Sequence, residues 1–192
     1  SHVHVIPNIV HLNDTGRFSD CVSKRAVFVG RLVEQKGIPD LIKIWRIVNQ
    51  RYPDWQLDVF GNGEMESIAD IKLFVHPPTA NIMEEYLNSS MLLMTSIYEP
   101  FGLVLPEAMS CGLPVVAFDC PYGPADIITH ESDGFLVQDR DINRYADYVC
   151  QLIESPGLRQ TMGTTGVKAV QRYQADHIMP QWQDLFASLI SK

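Results

Sequence analysis

Short apolar runs alternate along this chain with stretches whose apolar positions recur every three or four residues. Residues 26–30, 56–60, 71–75, 91–95, 115–118 and 134–137 are short runs rich in Val, Leu, Ile, Phe and Met. Runs of this length, without a sustained polar face, predict strands of a buried parallel sheet. Between them, Leu41, Ile42, Ile44, Trp45 and Val48 recur at helical spacing and predict an amphipathic helix over 39–51, ended by Tyr52-Pro53-Asp54. Gly61-Asn62-Gly63-Glu64 predicts a turn into a short helix, and Thr79 or Asn81 is positioned to cap a helix that runs to residue 88. A further helix is predicted over 103–111, stopped by Gly112, and a helical turn over 125–129. From Asp141 the pattern is helical to the end. Asp141 caps the first helix, Pro156 opens the next, and the third spans 176–190 with Trp182, Leu185, Phe186 and Leu189 as its stripe. Residues 3–6 predict a short strand, and 10–24 a polar, irregular connection.

Strands that alternate with helices imply parallel crossovers. The fold class expected is therefore α/β: a Rossmann-like doubly wound parallel sheet of about six strands, helices on both faces, and a helical C-terminus. No internal repeat, low-complexity segment or second domain boundary interrupts residues 1–192.

Composition narrows the partners. The chain is 46% hydrophobic and 20% charged, with a net charge of -8. An acidic chain without a Lys/Arg cluster argues against nucleic acid and against an anionic membrane surface, though one local basic site remains open. Four cysteines, none in a CxxC pair, are expected to be reduced thiols of a cytoplasmic protein. No apolar run reaches about 18 residues, so no transmembrane helix is expected, and no signal peptide is seen. The chain starts at Ser1 without an initiator methionine, as an excised piece would.

The candidate chemistry gathers after the strands. Glu99-Pro100-Phe101-Gly102-Leu103-Val104-Leu105-Pro106-Glu107 follows the run at 91–95 and leads into a helix. That is a strand's carboxyl end, where open α/β sheets bind ligands. Gly102 lets backbone amides approach a ligand, and amides at a helix start favour phosphate. Two carboxylates, Glu99 and Glu107, can accept hydrogen bonds from hydroxyls. Phosphate plus hydroxyls points to a nucleotide sugar. Arg31 and Lys36, after the first core strand, can clamp a diphosphate; read singly, each is equally a solvated loop cation. His76 is near a base or sugar on this reading, or else an exposed loop residue. Gly61-Asn62-Gly63 is an incomplete dinucleotide fingerprint and reads as a turn lining the site. No His/Cys set has metal-ligand spacing, and Ser110 does not complete a nucleophile elbow.

Gly30-Arg31-Leu32, Lys36-Gly37, Gly61-Asn62-Gly63-Glu64, Glu99-Pro100-Phe101-Gly102-Leu103 through Glu107-Ala108, and Cys111-Gly112-Leu113-Pro114-Val115-Val116 together resemble family 4 of the retaining glycosyltransferases, in order and spacing. The resemblance covers the C-terminal, donor-binding half of a GT-B fold. It implies that residues 1–192 are the nucleotide-sugar binding domain and that an N-terminal acceptor domain is absent from this chain. It implies a bacterial role in capsule, exopolysaccharide or lipopolysaccharide synthesis, and Cys120-Pro121-Tyr122-Gly123-Pro124 resembles the amylovoran-type branch. Glu99 would be the catalytic-site acid that holds the transferred sugar, with Phe101 and Gly102 beside it. Arg31, Lys36, Gly102, Leu103 and Val104 would bind the diphosphate, Glu107 the ribose, and Val75 and His76 would lie near the base. Family members usually need no metal and no other cofactor. UDP is the expected carrier and GDP the next. The acceptor would be a glycan or lipid-linked sugar, and the site of action cytoplasmic, with the whole protein a candidate for peripheral attachment at the inner membrane. One departure is the segment Val75-His76-Pro77-Pro78-Thr79, which replaces the family's usual glycine-containing turn. The isolated chain would bind donor and turn over little or nothing. The other readings are a GT-B nucleotide-sugar epimerase and a non-catalytic α/β binding module.

Overall fold

The computed structural model describes residues 3–138 and 140–190. Six parallel strands form one sheet: β1 (Arg25–Val29), β2 (Gln56–Phe60), β3 (Leu73–His76), β4 (Met91–Met94), β5 (Val115–Phe118) and β6 (Gly134–Val137). Their spatial order is β3-β2-β1-β4-β5-β6. The chain therefore winds outward in one direction from β1, then crosses back and winds outward from β4. The topological switch point lies between β1 and β4, and that is where such sheets open a crevice for ligands.

The helices are α1 (Ile38–Arg51), α2 (Ile82–Leu87), α3 (Val104–Ser110), α4 (Pro124–Ile127), α5 (Ile142–Glu154), α6 (Pro156–Ala169) and α7 (Ala175–Ile190). The period of two along each strand sorts the core into two layers. Phe28, Leu57, Leu93, Val116 and Phe118 pack against α1 and α5 through Leu41, Trp45, Tyr145 and Val149. Val27, Leu92, Met94, Val115 and Ala117 pack on the other face with Tyr86, Leu105, Met109 and Tyr173. Asp141 caps α5 as expected, accepting the Arg144 amide at 3.0 Å. All four cysteines are buried.

Two expectations fail. Residues 3–6 are not a strand: Val3 and Val5 are 83% and 87% exposed, and no strand of the sheet takes the segment as a partner. No α-helix separates β2 from β3. A three-residue 3-10 turn, Ala69–Ile71, stands there instead. An antiparallel bridge between Ile68 and Leu73 closes around that turn. The connection at 10–24 is irregular, yet it is not merely polar. Val10, Leu12 and Cys21 are buried against the second layer, and the Val10 amide donates to the Tyr173 carbonyl at 3.0 Å.

The stripe on α7 is not core. Among the residues of α7, Ile178 is the buried one, while Trp182, Phe186, Leu189 and Ile190 face solvent. Trp182 and Phe186 lie against each other with ring centroids 5.7 Å apart. No helix among the described residues is long and apolar enough to cross a membrane.

Candidate functional site

The site is assembled where the carboxyl ends of β1 and β4 meet. After β1 the chain passes Gly30 and Arg31 and turns back at Gly37, whose φ is +64°. A β-carbon at Gly37 would sit 2.0 Å from the Thr95 carbonyl oxygen, so the β1 and β4 loops touch backbone to backbone there. The loop after β2 is locked to the first in the same way. A β-carbon at Gly61 would stand 1.8 Å from the Gly30 carbonyl oxygen. The Leu32 amide donates to the Asn62 carbonyl at 2.7 Å. Gly61-Asn62-Gly63 is thus a close-packing turn at the rim.

At the centre, Lys36 Nζ is paired with Glu99 Oε1. The pair is largely out of water, with side-chain exposures of 15% and 6%. Ser96 Oγ donates to the same carboxylate oxygen at 2.7 Å. Thr95 Oγ1 donates to the Lys36 carbonyl at 2.9 Å. The Lys36 stem lies over Gly30, within 3.5 Å of where a β-carbon would be. Arg31, the next residue, is exposed and reaches Gln35 Oε1 at 3.3 Å. The structure therefore pairs Lys36 with Glu99, lays the Lys36 stem over Gly30, and leaves Arg31 exposed beside it.

Gly102 follows with φ +90°, a conformation that side chains rarely adopt. It aims the chain into the first turn of α3, where Leu103 and Val104 carry amides that the helix itself leaves without partners. Glu107 sits one turn on from Leu103, its amide bonded to the Leu103 carbonyl at 3.2 Å. Burial pushes the Glu107 carboxyl above its ordinary range, against the opposing pull of the Tyr86 hydroxyl and the charge of His11. Phe101 is half-buried, and its ring packs edge-on against Tyr173 at 5.3 Å. The Phe101 backbone packs on Gly123, where a β-carbon would stand 2.3 Å from the Phe101 carbonyl oxygen.

His76 ends β3 in register with Phe60. Its ring stacks on Phe60 at 4.7 Å, and Nε2 lies 2.6 Å from Asp58 Oδ1. The buried Asp58 is pushed up by desolvation, but hydrogen bonds from Arg25, Gln56 and His76 outweigh this and hold it below the usual carboxylate range. The His76 carbonyl accepts the Gly61 amide at 3.2 Å, and the Val75 amide donates to Ser67 Oγ at 2.8 Å. These groups of Val75 and His76 are thus engaged within the protein. A cleft of about 260 Å³ beside them is walled by Val29, Gly30, Phe60, Pro78 and Ile82, with Arg31 at its mouth. A larger cleft of about 430 Å³ includes Gly112, which precedes β5 and so lies at the amino edge of the sheet, away from the ligand edge.

Sequence reasoning missed Ser96, Thr95 and Tyr86, which bond to Glu99, Lys36 and Glu107, and Arg140, which bonds to the Thr95 and Ser96 carbonyls. Ser96 and Thr95 immediately follow β4, which was signal enough. Tyr86 and Arg140 are brought in only by the fold. Among the described residues, no group of three or more His, Cys, Asp or Glu side chains is placed to hold a metal ion.

A doubly wound parallel sheet with an acid, a lysine and a glycine-led helix start at its switch point is the architecture of half a GT-B fold. Residues 22–169 match the family described as glycosyl transferases group 1, and the chain belongs to that family. It is 33% identical to the amylovoran biosynthesis glycosyltransferase AmsD of Erwinia amylovora, over 96% of this chain and 56% of that protein. It is 27% identical to the poly(ribitol-phosphate) alpha-N-acetylglucosaminyltransferase of Staphylococcus aureus, over 97% of this chain and 40% of that protein. A solved variant of S. aureus TarM, in complex with fondaparinux, alpha-GlcNAc-glycerol and UDP, aligns with a TM-score of 0.86 at 28% identity, covering 95% of this chain and 39% of that one. The chain thus spans about half the length, or less, of the relatives it matches.

Proposed function

We propose that this chain is the donor-binding half of a retaining glycosyltransferase that takes a sugar from a UDP-sugar and passes it to a glycan or lipid-linked acceptor in cell-surface polysaccharide synthesis. The observation that carries the reading is the Lys36–Glu99 pair at the switch point, flanked by Gly102 and the first amides of α3. A diphosphate arriving there brings a negative charge that competes with Glu99 for Lys36. Lys36, with Arg31, then neutralises the diphosphate, and Glu99 is freed to accept the hydroxyls of the transferred sugar. The same cations and the amides of Gly102, Leu103 and Val104 offset charge that builds on the leaving diphosphate as its bond to the anomeric carbon breaks. On this reading no metal is needed. Glu107 takes the ribose hydroxyls. The base enters the cleft beside Phe60, so its contacts fall to Pro78 and Thr79 rather than to the His76 side chain.

The TarM complex holds UDP, which supports UDP over GDP. The S. aureus relative is named for an alpha product, and from an α-linked nucleotide sugar that outcome is retention. The donor class implies a cytoplasmic site of action. The test is product analysis by NMR with the full-length protein and α-linked UDP-sugars. The reading requires an α-linked product. A β-linked product contradicts retention, and free sugar of altered configuration would favour an epimerase.

The raised carboxyl of Glu107 gives this reading a pH signature. Its folded-state value lies above the unfolded one, so the ionised form costs stability above that value and the cost is relieved as pH falls through it. Ribose binding has the opposite need, because only the carboxylate accepts from both hydroxyls. UDP affinity is expected to weaken as pH drops from about 7 to about 5, starting above the usual glutamate range. Glu107→Gln should bind more weakly at pH 7 and show a shallower slope, the remainder coming from the terminal phosphate of UDP, whose second ionisation falls at about 6. Equal slopes in calorimetric titrations of the two proteins would remove Glu107 from the site.

The exposed stripe of α7 fits an acceptor-binding partner domain supplied by the rest of the protein. In the isolated chain, Trp182→Ser with Phe186→Ser should leave the melting temperature within about 2 °C, because neither side chain is buried there. The same change should raise the monomeric fraction in light scattering. A large drop in melting temperature would place the stripe in the core.

A further inference from the structure

We propose that Arg140 is a positioning residue for sugar transfer, holding the Lys36–Glu99 pair in register from the far side of the β4 end; the inference rests on the donor-site reading above. Arg140 lies between β6 and α5, with φ +60°, a left-handed conformation that glycine adopts without cost and arginine does not. Its guanidinium reaches back to the end of β4. Nη1 donates to the Thr95 carbonyl at 3.0 Å and Nη2 to the Ser96 carbonyl at 2.8 Å. Nη1 also pairs with Asp40 Oδ2 in the first turn of α1 at 3.0 Å. The guanidinium carbon lies 4.6 Å from the centre of the Phe118 ring.

The two residues held this way are the two that grip the pair. Thr95 uses its hydroxyl on the Lys36 carbonyl, and Ser96 uses its hydroxyl on the Glu99 carboxylate. One side chain thus fixes both supports at once, and its planar fork suits two neighbouring carbonyls. The helix packing has anchors of its own apart from this grip. The contact of α1 with α5 and the sheet is carried by buried Leu41, Ile44, Trp45 and Tyr145, while the Arg140 side chain is 28% exposed. What Arg140 adds is precision in the loop that carries Glu99. Small misplacements there are costly, because transfer depends on near-attack geometry.

The test uses the full-length protein with Arg140→Ala, Arg140→Gly and Arg140→Lys. In the alanine and glycine variants, kcat should fall roughly 10- to 100-fold while the UDP Kd and donor KM stay within about 3-fold. Glycine relieves the left-handed strain, so Arg140→Gly should melt higher than Arg140→Ala yet be as slow. Lysine can hold one carbonyl but not both, and should recover only part of the rate. The inference is overturned by a kcat near wild type, by a loss that appears in UDP affinity instead, or by rates that rise with melting temperature from alanine to glycine. A wild-type protein that neither binds UDP nor transfers sugar would overturn the donor-site reading itself, and this inference with it.

Discussion

Lys36→Met is expected to cost about 3 kcal/mol of folding stability, because it leaves the Glu99 carboxylate buried with its cation gone. Glu99 is 4% exposed, and Ser96 alone then donates to the oxygen that Lys36 held. A single hydroxyl does not replace a charged partner in a low-dielectric site. The double change Lys36→Met with Glu99→Leu removes both charges, and should recover most of the loss. Urea unfolding of the three proteins measures this directly. The single variant and the double also separate stability from binding. Lys36→Met should weaken UDP binding roughly 10- to 100-fold, the range of a charge-assisted hydrogen bond, whereas the double change should not restore it. A loss of under about 1 kcal/mol in Lys36→Met would show that the pair is solvated and free to part.

The second large effect is steric. Gly37→Ala should lose at least about 3 kcal/mol, because a strained left-handed backbone and a backbone clash act together. Its β-carbon would stand 2.0 Å from the Thr95 carbonyl oxygen, an atom that cannot swing aside as a side-chain tip can. Two other glycines separate the causes. Gly16 has φ +69° with nothing within 4 Å, so Gly16→Ala should lose only about 1 kcal/mol, from strain alone. Gly157 lies in the first turn of α6, free of both problems, and Gly157→Ala should gain about 0.5 kcal/mol. Thermal unfolding of the three variants should therefore rank Gly157 above wild type, then Gly16, then Gly37. If Gly37→Ala falls no lower than Gly16→Ala, the β1 and β4 loops are not in the close contact described. Donor binding should fall with Gly37→Ala as well, since Lys36 and Thr95 flank the contact.

Most of the fold was legible because its signals are local. Apolar runs at 56–60, 115–118 and 134–137 became strands with those same bounds. Asp141 and Pro156 open helices where capping and proline chemistry place them. The failures have physical causes. Residues 3–6 have strand-like residues but pair with neither edge strand, β3 nor β6, and propensity without a partner makes no strand. Gly61-Asn62-Gly63-Glu64 reads locally as a turn into a short helix, and no local signal reports the pairing of Ile68 with Leu73 that the chain makes instead. Here a bridge and one 3-10 turn complete the crossover.

The site was legible in part. Glu99, Lys36, Arg31 and Gly102 were read from sequence; the fold pairs Lys36 with Glu99 and sets Gly102 beside the Glu99 side chain, while Arg31 stays exposed. His76 shows the limit. Its place at a strand end was readable, but its commitment to Asp58 and Phe60 depends on the register of β2 with β3. Arg140 shows it more sharply. Its contact with Asp40 spans 100 residues of chain, and no spacing rule reports that.

The most direct test of the central claim is calorimetric titration of the chain, without metal, by UDP, GDP and ADP, alongside Glu107→Ala. The donor-site account predicts one UDP bound per chain, weaker binding of GDP and ADP, and at least about tenfold weaker UDP binding by Glu107→Ala. No binding of any of the three, by this chain or by the full-length protein, would contradict it.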